Sequence, residues 1–123
     1  MGTHFVVTDE SQVHENYKDM IIKARDIDSR VTGRSTGHPV RALRNQMTKE
    51  YLDKEQAGVP FEELELLTLG GLRKAVVEGD VKTGSVMAGQ IAGMVKEKMS
   101  CHNLIQKLVK ETDDLIGGKG FYE

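Results

Sequence analysis

Tryptophan is absent from the 123 residues and aromatic side chains make up only 5%. That leaves too few flat faces for a stacking platform on single-stranded nucleic acid. Positive charge is not in excess: 17 lysines and arginines stand against 19 aspartates and glutamates, for a net charge of -2. The electrostatic footprint of a nucleic-acid or anionic-membrane binder is therefore missing, and neither partner is expected. The single cysteine, Cys101, excludes an intrachain disulfide framework and fits a reducing, cytoplasmic setting. No run approaches the roughly 18 apolar residues of a membrane span. The first residues have neither the basic start nor the apolar middle of a signal peptide. Met1-Gly2 is not read as a myristoylation signal either, because Val6 stands where serine or threonine is expected.

What is present has the length of one domain, able to bury roughly two thirds of its unfolded surface. His4-Phe5-Val6-Val7-Thr8 is a short β-prone run, read as an isolated N-terminal strand. Asp9, Glu10 and Ser11 supply helix-start chemistry. Val13, Tyr17, Met20, Ile21 and Ala24 then fall on one helical face, predicting a helix over 11–25. Residues 26–39 have a loop composition with a short extended piece around Ile27 to Thr32. A second helix is expected after Pro39, with Val40, Leu43, Met47 and Tyr51 as its stripe and Gly58 as its end. Pro60 opens a third segment, Phe61 to Glu78, which Gly70-Gly71 kinks or divides. Glu78 to Gly84 is a polar turn, a last helix starts at Cys101 and ends at Gly117-Gly118, and the tail Lys119 to Glu123 is expected to be mobile.

Gly84 to Val95 is uncharged in a chain where 29% of residues are charged. On a helix, Ser85, Gly89 and Gly93 would form a smooth strip widened by Ala88 and Ala92. Glycines inside a helix cost roughly 1 kcal/mol each relative to alanine, so something must compensate. The two compensations considered are tight helix packing and the wall of a cofactor pocket with Gln90 as its polar group.

Other chemistry finds little support. Asp26 and Asp28 lack the cluster a metal ion needs. His4, His14, His38 and His102 have no partner at zinc-ligand spacing. No G-x-S-x-G elbow singles out a nucleophilic serine. No dinucleotide fingerprint follows a strand, and Gly117-Gly118-Lys119-Gly120 lacks P-loop spacing. The arginines Arg30, Arg34, Arg41 and Arg44 are read as a solvated face. Gly2-Thr3 could offer a phosphate backbone N–H groups and a hydroxyl, as loops near the last strands of an α/β barrel often do.

Met1-Gly2-Thr3-His4-Phe5-Val6-Val7 with Glu10-Ser11 resembles the last barrel strand and following turn of the flavin-dependent enoyl-acyl-carrier-protein reductases, relatives of nitronate monooxygenase (formerly 2-nitropropane dioxygenase). The similarity continues through Asn16-Tyr17-Lys18, Lys23 to Asp26 and Gly37 to Gln46. It is strongest at Gly79-Asp80-Val81 and Gly84 to Gly93. The resemblance runs from Met1 to about Ile116, and the order of the motifs is more specific than any one of them.

The resemblance implies a mainly α chain with a short N-terminal strand, forming the C-terminal part of a (β/α)8 FMN-binding barrel enzyme with its inserted small helical domain. Residues 1–25 would be the last strand and its helix, 26–100 the small domain with the flavin-side segment 84–95, and 101–123 the C-terminal helix and tail. Met1, Gly2 and Thr3 inherit contact with the FMN phosphate. Ser85, Met87, Ala88, Gly89 and Gln90 become candidates for the flavin or acyl-substrate pocket. His4 stands where the family commonly has arginine. The family's catalytic histidine lies on the barrel upstream of Met1, so no histidine here takes that role.

For the whole enzyme the resemblance implies hydride transfer from NADH or NADPH through FMN to an enoyl thioester on acyl carrier protein, in fatty acid synthesis. The isolated chain is expected to be inactive, its first partner being the missing barrel portion of the same enzyme. A homo-oligomer is left open. Nitronate oxidation on the same flavin scaffold is the alternative chemistry, and a free-standing helical interaction module is the non-enzymatic one.

Overall fold

The polar groups of the first residues are satisfied locally. Phe5 N–H donates to the Met1 carbonyl at 3.2 Å, and the Thr8 amide and hydroxyl both donate to the Phe5 carbonyl, at 3.2 and 2.7 Å. Helix α1 (Gly2–Val6) results, in place of the expected strand. β-branched residues favour a strand only when a neighbouring strand takes up their N–H and C=O groups. Among the described residues none lies beside this segment, and a helical turn pairs its groups instead. The computed structural model describes residues 1–117. The expected tail Lys119 to Glu123, and Gly118 in the proposed last-helix stop and in the dismissed P-loop run, lie outside the described residues.

Helix α2 (Glu15–Lys23) starts later than its acidic prelude suggests. Its N-cap is His14, whose Nδ1 accepts from Asn16 N–H at 3.0 Å. Glu10 serves another helix: both its carboxylate oxygens accept from Cys101 N–H at 3.1 Å, at the start of α6 (Cys101–Leu115). Ile21, on the inner face of α2, is fully buried, worth about 2 kcal/mol relative to exposure. Lys18 is also buried, at 2% exposure, which a bare ammonium could not sustain. It donates to the Thr8 carbonyl at 2.8 Å and pairs with Glu15 at 3.3 Å, tying α2 to the end of α1.

After a 3-10 turn at Asp26–Asp28, strands β1 (Ser29–Thr32) and β2 (Val40–Leu43) form an antiparallel hairpin pairing Ser29 with Leu43 and Thr32 with Val40. Val40 to Leu43 is thus strand, not the first turn of a helix. The spacing of Val40, Leu43, Met47 and Tyr51 mimics one helical stripe but crosses an element boundary at Asn45. The Asn45 side-chain oxygen accepts from Thr48 N–H at 2.9 Å while the Asn45 backbone N–H donates to the Thr48 hydroxyl at 2.8 Å. This reciprocal cap starts α3 (Gln46–Gln56). Helix α4 (Phe61–Thr68) follows Pro60 at its N-cap. Gly70, at φ +69°, divides it from α5 (Gly71–Arg73), which runs on as a π-helical turn over Lys74–Glu78. Of the two expectations for Gly70-Gly71, two shorter helices is the one realised.

The largest correction falls on 84–95. It is not a helix: residues 85–88 run extended along β2, with Ala42 and Met87 bridged, and Gln90–Met94 forms a 3-10 turn. Ser85, Gly89 and Gly93 therefore share no helical strip. Each glycine has its own neighbour. A Cβ on Gly84 would lie 2.4 Å from the Asp80 carbonyl oxygen, and one on Gly93 would lie 2.5 Å from Asp26 N. The first core consists of Val7, Tyr17, Ile21, Ala24, Leu43, Ala75, Val86, Ala92 and Val95, and a smaller one of Met47, Tyr51 and Leu64. No helix among the described residues is long and apolar enough to cross a membrane.

Candidate functional site

An irregular segment needs its backbone groups paired one by one. Segment 84–89 obtains its partners from widely separated places in the chain. Ser85 N–H donates to the Gly71 carbonyl at 2.9 Å, and Leu43 N–H donates to the Val86 carbonyl at 2.8 Å. The Tyr17 hydroxyl donates to the Met87 carbonyl at 2.6 Å. Asn45 Nδ2 donates to the carbonyls of Val81 and Gly84, both at 2.8 Å. Gly89 N–H donates to the Thr3 hydroxyl oxygen at 2.9 Å.

The turn leading into the segment is equally fixed. Gly79, at φ +74°, lies against the His14 ring, where a Cβ would come within 2.5 Å, and Asn16 Nδ2 donates to its carbonyl at 3.0 Å. The Asp80 carboxylate accepts from Lys82 N–H, Thr83 N–H and the Thr83 hydroxyl. The Thr83 bonds hold its carboxyl below the ordinary range.

The residues singled out in the sequence thus meet only in part. Thr3 is buried and meets Gly89, joining the two motif stretches, while Met1 and Gly2 are exposed beside it. Ser85 and Met87 point elsewhere, onto a cleft of about 330 Å³ between the hairpin, α3 and α4. Its floor is made by Thr32, Ala42, Met47, Tyr51 and Ser85, all buried, with Val40, Phe61 and Leu72 at its edge. Ala88, Gly89 and Gln90 do not line this cleft; Gln90 is exposed where the 3-10 turn begins. A second hollow of about 330 Å³ lies beside His4, walled by Ile91, Met94, Lys96 and α6. The Lys96 ammonium is engaged with the Ala24 carbonyl at 2.6 Å.

Two electrostatic features bear on the frame. Burial pushes the Tyr17 phenol up to about 12, against the opposing pull of its bond to Met87, so it remains a neutral donor at physiological pH. Asp28 accepts from Arg25 N–H at 2.9 Å and from the Arg25 guanidinium, with Arg44 at 3.5 Å. These contacts, Arg25 first, hold its carboxyl below the ordinary range. Among the described residues no group of three or more histidine, cysteine or acidic side chains is arranged to hold a metal ion.

Sequence reasoning assigned no role to Tyr17, Asn45 or Tyr51. Tyr17 and Asn45 lie within motifs noted for their resemblance, while Tyr51 looked like one more member of an apolar stripe. The signal available was polar: a tyrosine hydroxyl and an asparagine amide at inward-facing positions each require a partner.

The family model for nitronate monooxygenase matches residues 1–111. A protein of Staphylococcus saprophyticus described as a probable nitronate monooxygenase is 30% identical over 120 residues, covering 94% of this chain and 32% of that protein. A Bacillus subtilis protein with the same description is 26% identical over 111 residues, covering 90% and 32%. Among solved structures, FabK from Thermotoga maritima superposes with a TM-score of 0.86 at 40% identity, covering 94% of this chain and 37% of that one. Nitroalkane oxidase from Streptomyces ansochromogenes superposes with a TM-score of 0.67 at 26% identity, covering 93% and 32%. The chain therefore spans about a third of the length of the curated relatives it matches.

Proposed function

We infer that this chain, which belongs to the nitronate monooxygenase family, supplies the C-terminal part of an FMN-dependent enoyl-acyl-carrier-protein reductase, with the junction of Thr3 and Gly89 at its flavin site. The observation that carries the reading is that the chain stands nearer to FabK than to nitroalkane oxidase in both identity and superposition. The motifs at Gly37 to Gln46 and Gly79 to Gly93 resemble the reductases in the same way.

Support for the phosphate end comes from Thr3 and Gly2. The Thr3 oxygen takes the Gly89 N–H, leaving its own proton to donate. A Cβ on Gly2 would meet nothing within 4 Å, so the surface beside it is open. Met1, Gly2 and Thr3 would hold the phosphate, and Ala88 to Gln90 would lie along the flavin or the acyl substrate. When bound, FMN would accept a hydride from NADH or NADPH and deliver it to an enoyl thioester carried on acyl carrier protein. The chain's own part is to position the phosphate and wall the pocket. Met94 and Leu115, at 76% and 86% exposure, are apolar side chains that a barrel portion would cover.

The family model for nitronate monooxygenase, and the Staphylococcus and Bacillus relatives described as probable nitronate monooxygenases, favour nitronate oxidation as the second reading. A chimera decides between them, with this chain replacing the matching third of Thermotoga maritima FabK. The reductase reading expects a yellow protein that oxidises NAD(P)H only when an enoyl thioester is present. Consumption of alkyl nitronate with oxygen instead transfers the assignment to nitronate oxidation. A folded, colourless chimera overturns both and leaves a helical interaction module.

A further inference from the structure

The arginines that composition alone reads as solvated are gathered by the fold. From Ser29 to Lys49 the chain carries five lysines and arginines and no aspartate or glutamate; all 19 acidic residues lie elsewhere. That stretch is the hairpin and the first turn of α3. Cross-strand pairing sets Arg30 against Ala42 and Thr32 against Val40, and Arg44 N–H extends the ladder to the Asp28 carbonyl at 2.6 Å. Alternate residues share a face, so Arg44, Arg30 and Val40 stand on one side of the hairpin, with Arg34 in the exposed turn at its tip. Arg41 belongs to the other side, where its guanidinium donates to the Ser29 hydroxyl at 2.8 Å. We propose that the side bearing Arg30 and Arg44, with Arg34 at its tip, docks the acyl carrier protein of the reductase reading, on which the inference rests, through a row of carboxylates on the carrier.

Little of this charge is cancelled within the chain. Arg30 and Arg34 make no ion pair among the described residues. The Arg30 guanidinium is held by the neutral carbonyls of Ile27 and Ser29, which orient it without discharging it. A guanidinium already oriented loses less freedom when a carboxylate arrives. Arg44 shares one carboxylate, Asp28, with Arg25, so that pair of cations is only partly neutralised. Apolar contact between the charges is offered by Ile27 and Val40, both exposed. Position adds to charge: Thr32, Val40 and Ala42 of the same face line the cleft that Ser85 and Met87 also line, so a carrier seated on the arginines would hold its thioester at the cleft mouth. A nucleic acid fits less well. Residues 25–49 include no phenylalanine, tyrosine or tryptophan for a base to stack on. Across the cleft, α4 carries Glu62, Glu63 and Glu65, all exposed, which would repel a polyanion that continued past the hairpin.

The test is binding of acyl carrier protein from Thermotoga maritima, free of its acyl group, to the full chain, read by fluorescence anisotropy. Saturable binding is expected, weakening at least about fivefold as sodium chloride rises from about 50 to about 500 mM. Arg30→Gln, Arg34→Gln and Arg44→Gln should each weaken it about two- to fivefold, while Arg41→Gln, on the other side of the hairpin, should stay within about twofold of the parent. No saturable binding, binding indifferent to salt, an Arg41→Gln loss as large as the other three, or tighter binding of a single-stranded oligonucleotide overturns the proposal. Arg34 is exposed at the tip, so Arg34→Gln and the salt series of the parent decide even where Arg30→Gln or Arg44→Gln disturbs the hairpin. In the FabK chimera the three variants should raise KM for the enoyl thioester on the carrier and not for the same thioester on coenzyme A; an equal rise for both overturns the docking role. A chimera idle with both thioesters defeats the reductase reading, while carrier binding by the full chain still measures the docking face by itself.

Discussion

The hydroxyl oxygen of Thr3 accepts the amide of Gly89 at 2.9 Å, joining two stretches 86 residues apart at one point. That bond fixes the 3-10 turn of Gln90–Met94 against α1. Replacing Thr3 with valine keeps the shape but strands a backbone donor, so denaturant unfolding should show a loss of about 1 kcal/mol. Thr3→Ser should restore most of it. Equal stability of the valine variant and the parent would show that water replaces the bond without loss.

Tyr17 predicts an alkaline transition. Its phenol is neutral in the folded chain up to about 12, while in the unfolded chain it ionises near its ordinary value of 10. The folded form therefore holds the proton more tightly. This contribution is fully present below pH 10 and is lost as the pH rises from 10 to 12, to the extent of 2–3 kcal/mol in order of magnitude. Lys98, whose ammonium is raised by Asp19 and Glu15, loses stabilisation in the same direction. The relevant measurement is thus the difference between the parent and Tyr17→Phe in urea midpoint against pH. The phenylalanine variant should be weaker at pH 7 and fall less steeply above pH 10.

Asn45 combines a helix cap with two bonds to the site segment. Asn45→Ala should lower stability by about 2–3 kcal/mol, from the lost cap and the stranded carbonyls of Val81 and Gly84. Asn45→Asp keeps a capping oxygen but loses both donors, and should fall between the two in equilibrium unfolding.

The glycines separate by what surrounds them. Gly93→Ala would push a methyl group to within 2.5 Å of the backbone at Asp26, which cannot rotate away, and should cost about 1–3 kcal/mol. Gly2→Ala meets nothing and should leave unfolding unchanged. In the FabK chimera, however, it should lower flavin content if the phosphate packs against that residue. Equal melting of both variants would remove the close-packing account of Gly93.

Much of the helical frame is legible in the residues because it rests on spacing that one segment carries by itself. Tyr17 and Ile21 declare α2, Met47 and Tyr51 declare α3, and Leu104 with Leu108 declares α6. Errors arise where an outcome depends on distant neighbours. Phe5 to Val7 is β-prone but has no strand beside it among the described residues, and Val40 with Leu43 belongs to the hairpin because Thr32 and Ser29 lie opposite. Ser85, Gly89 and Gly93 are spaced like a helical strip, yet the two glycines answer to unrelated approaches, from Thr3 and from Asp26. The candidate site shows the same division. Family resemblance picks out both Thr3 and Gly89, but nothing local to either announces that they touch. Tyr51 reads as a core residue until it is found lining a cleft.

The anchoring of segment 84–89 also has a consequence in time. Its partners at Thr3, Tyr17 and Asn45 lie 86, 70 and 39 residues away, so these links close only after most of the chain has been gathered. Helices with local bonds can form before that, and the segment belongs to the final step. Substitutions at Thr3 and Tyr17 should accordingly speed unfolding while leaving the refolding rate nearly unchanged. The part of the chain proposed to meet the cofactor is then also the part that sets how long the folded molecule lasts.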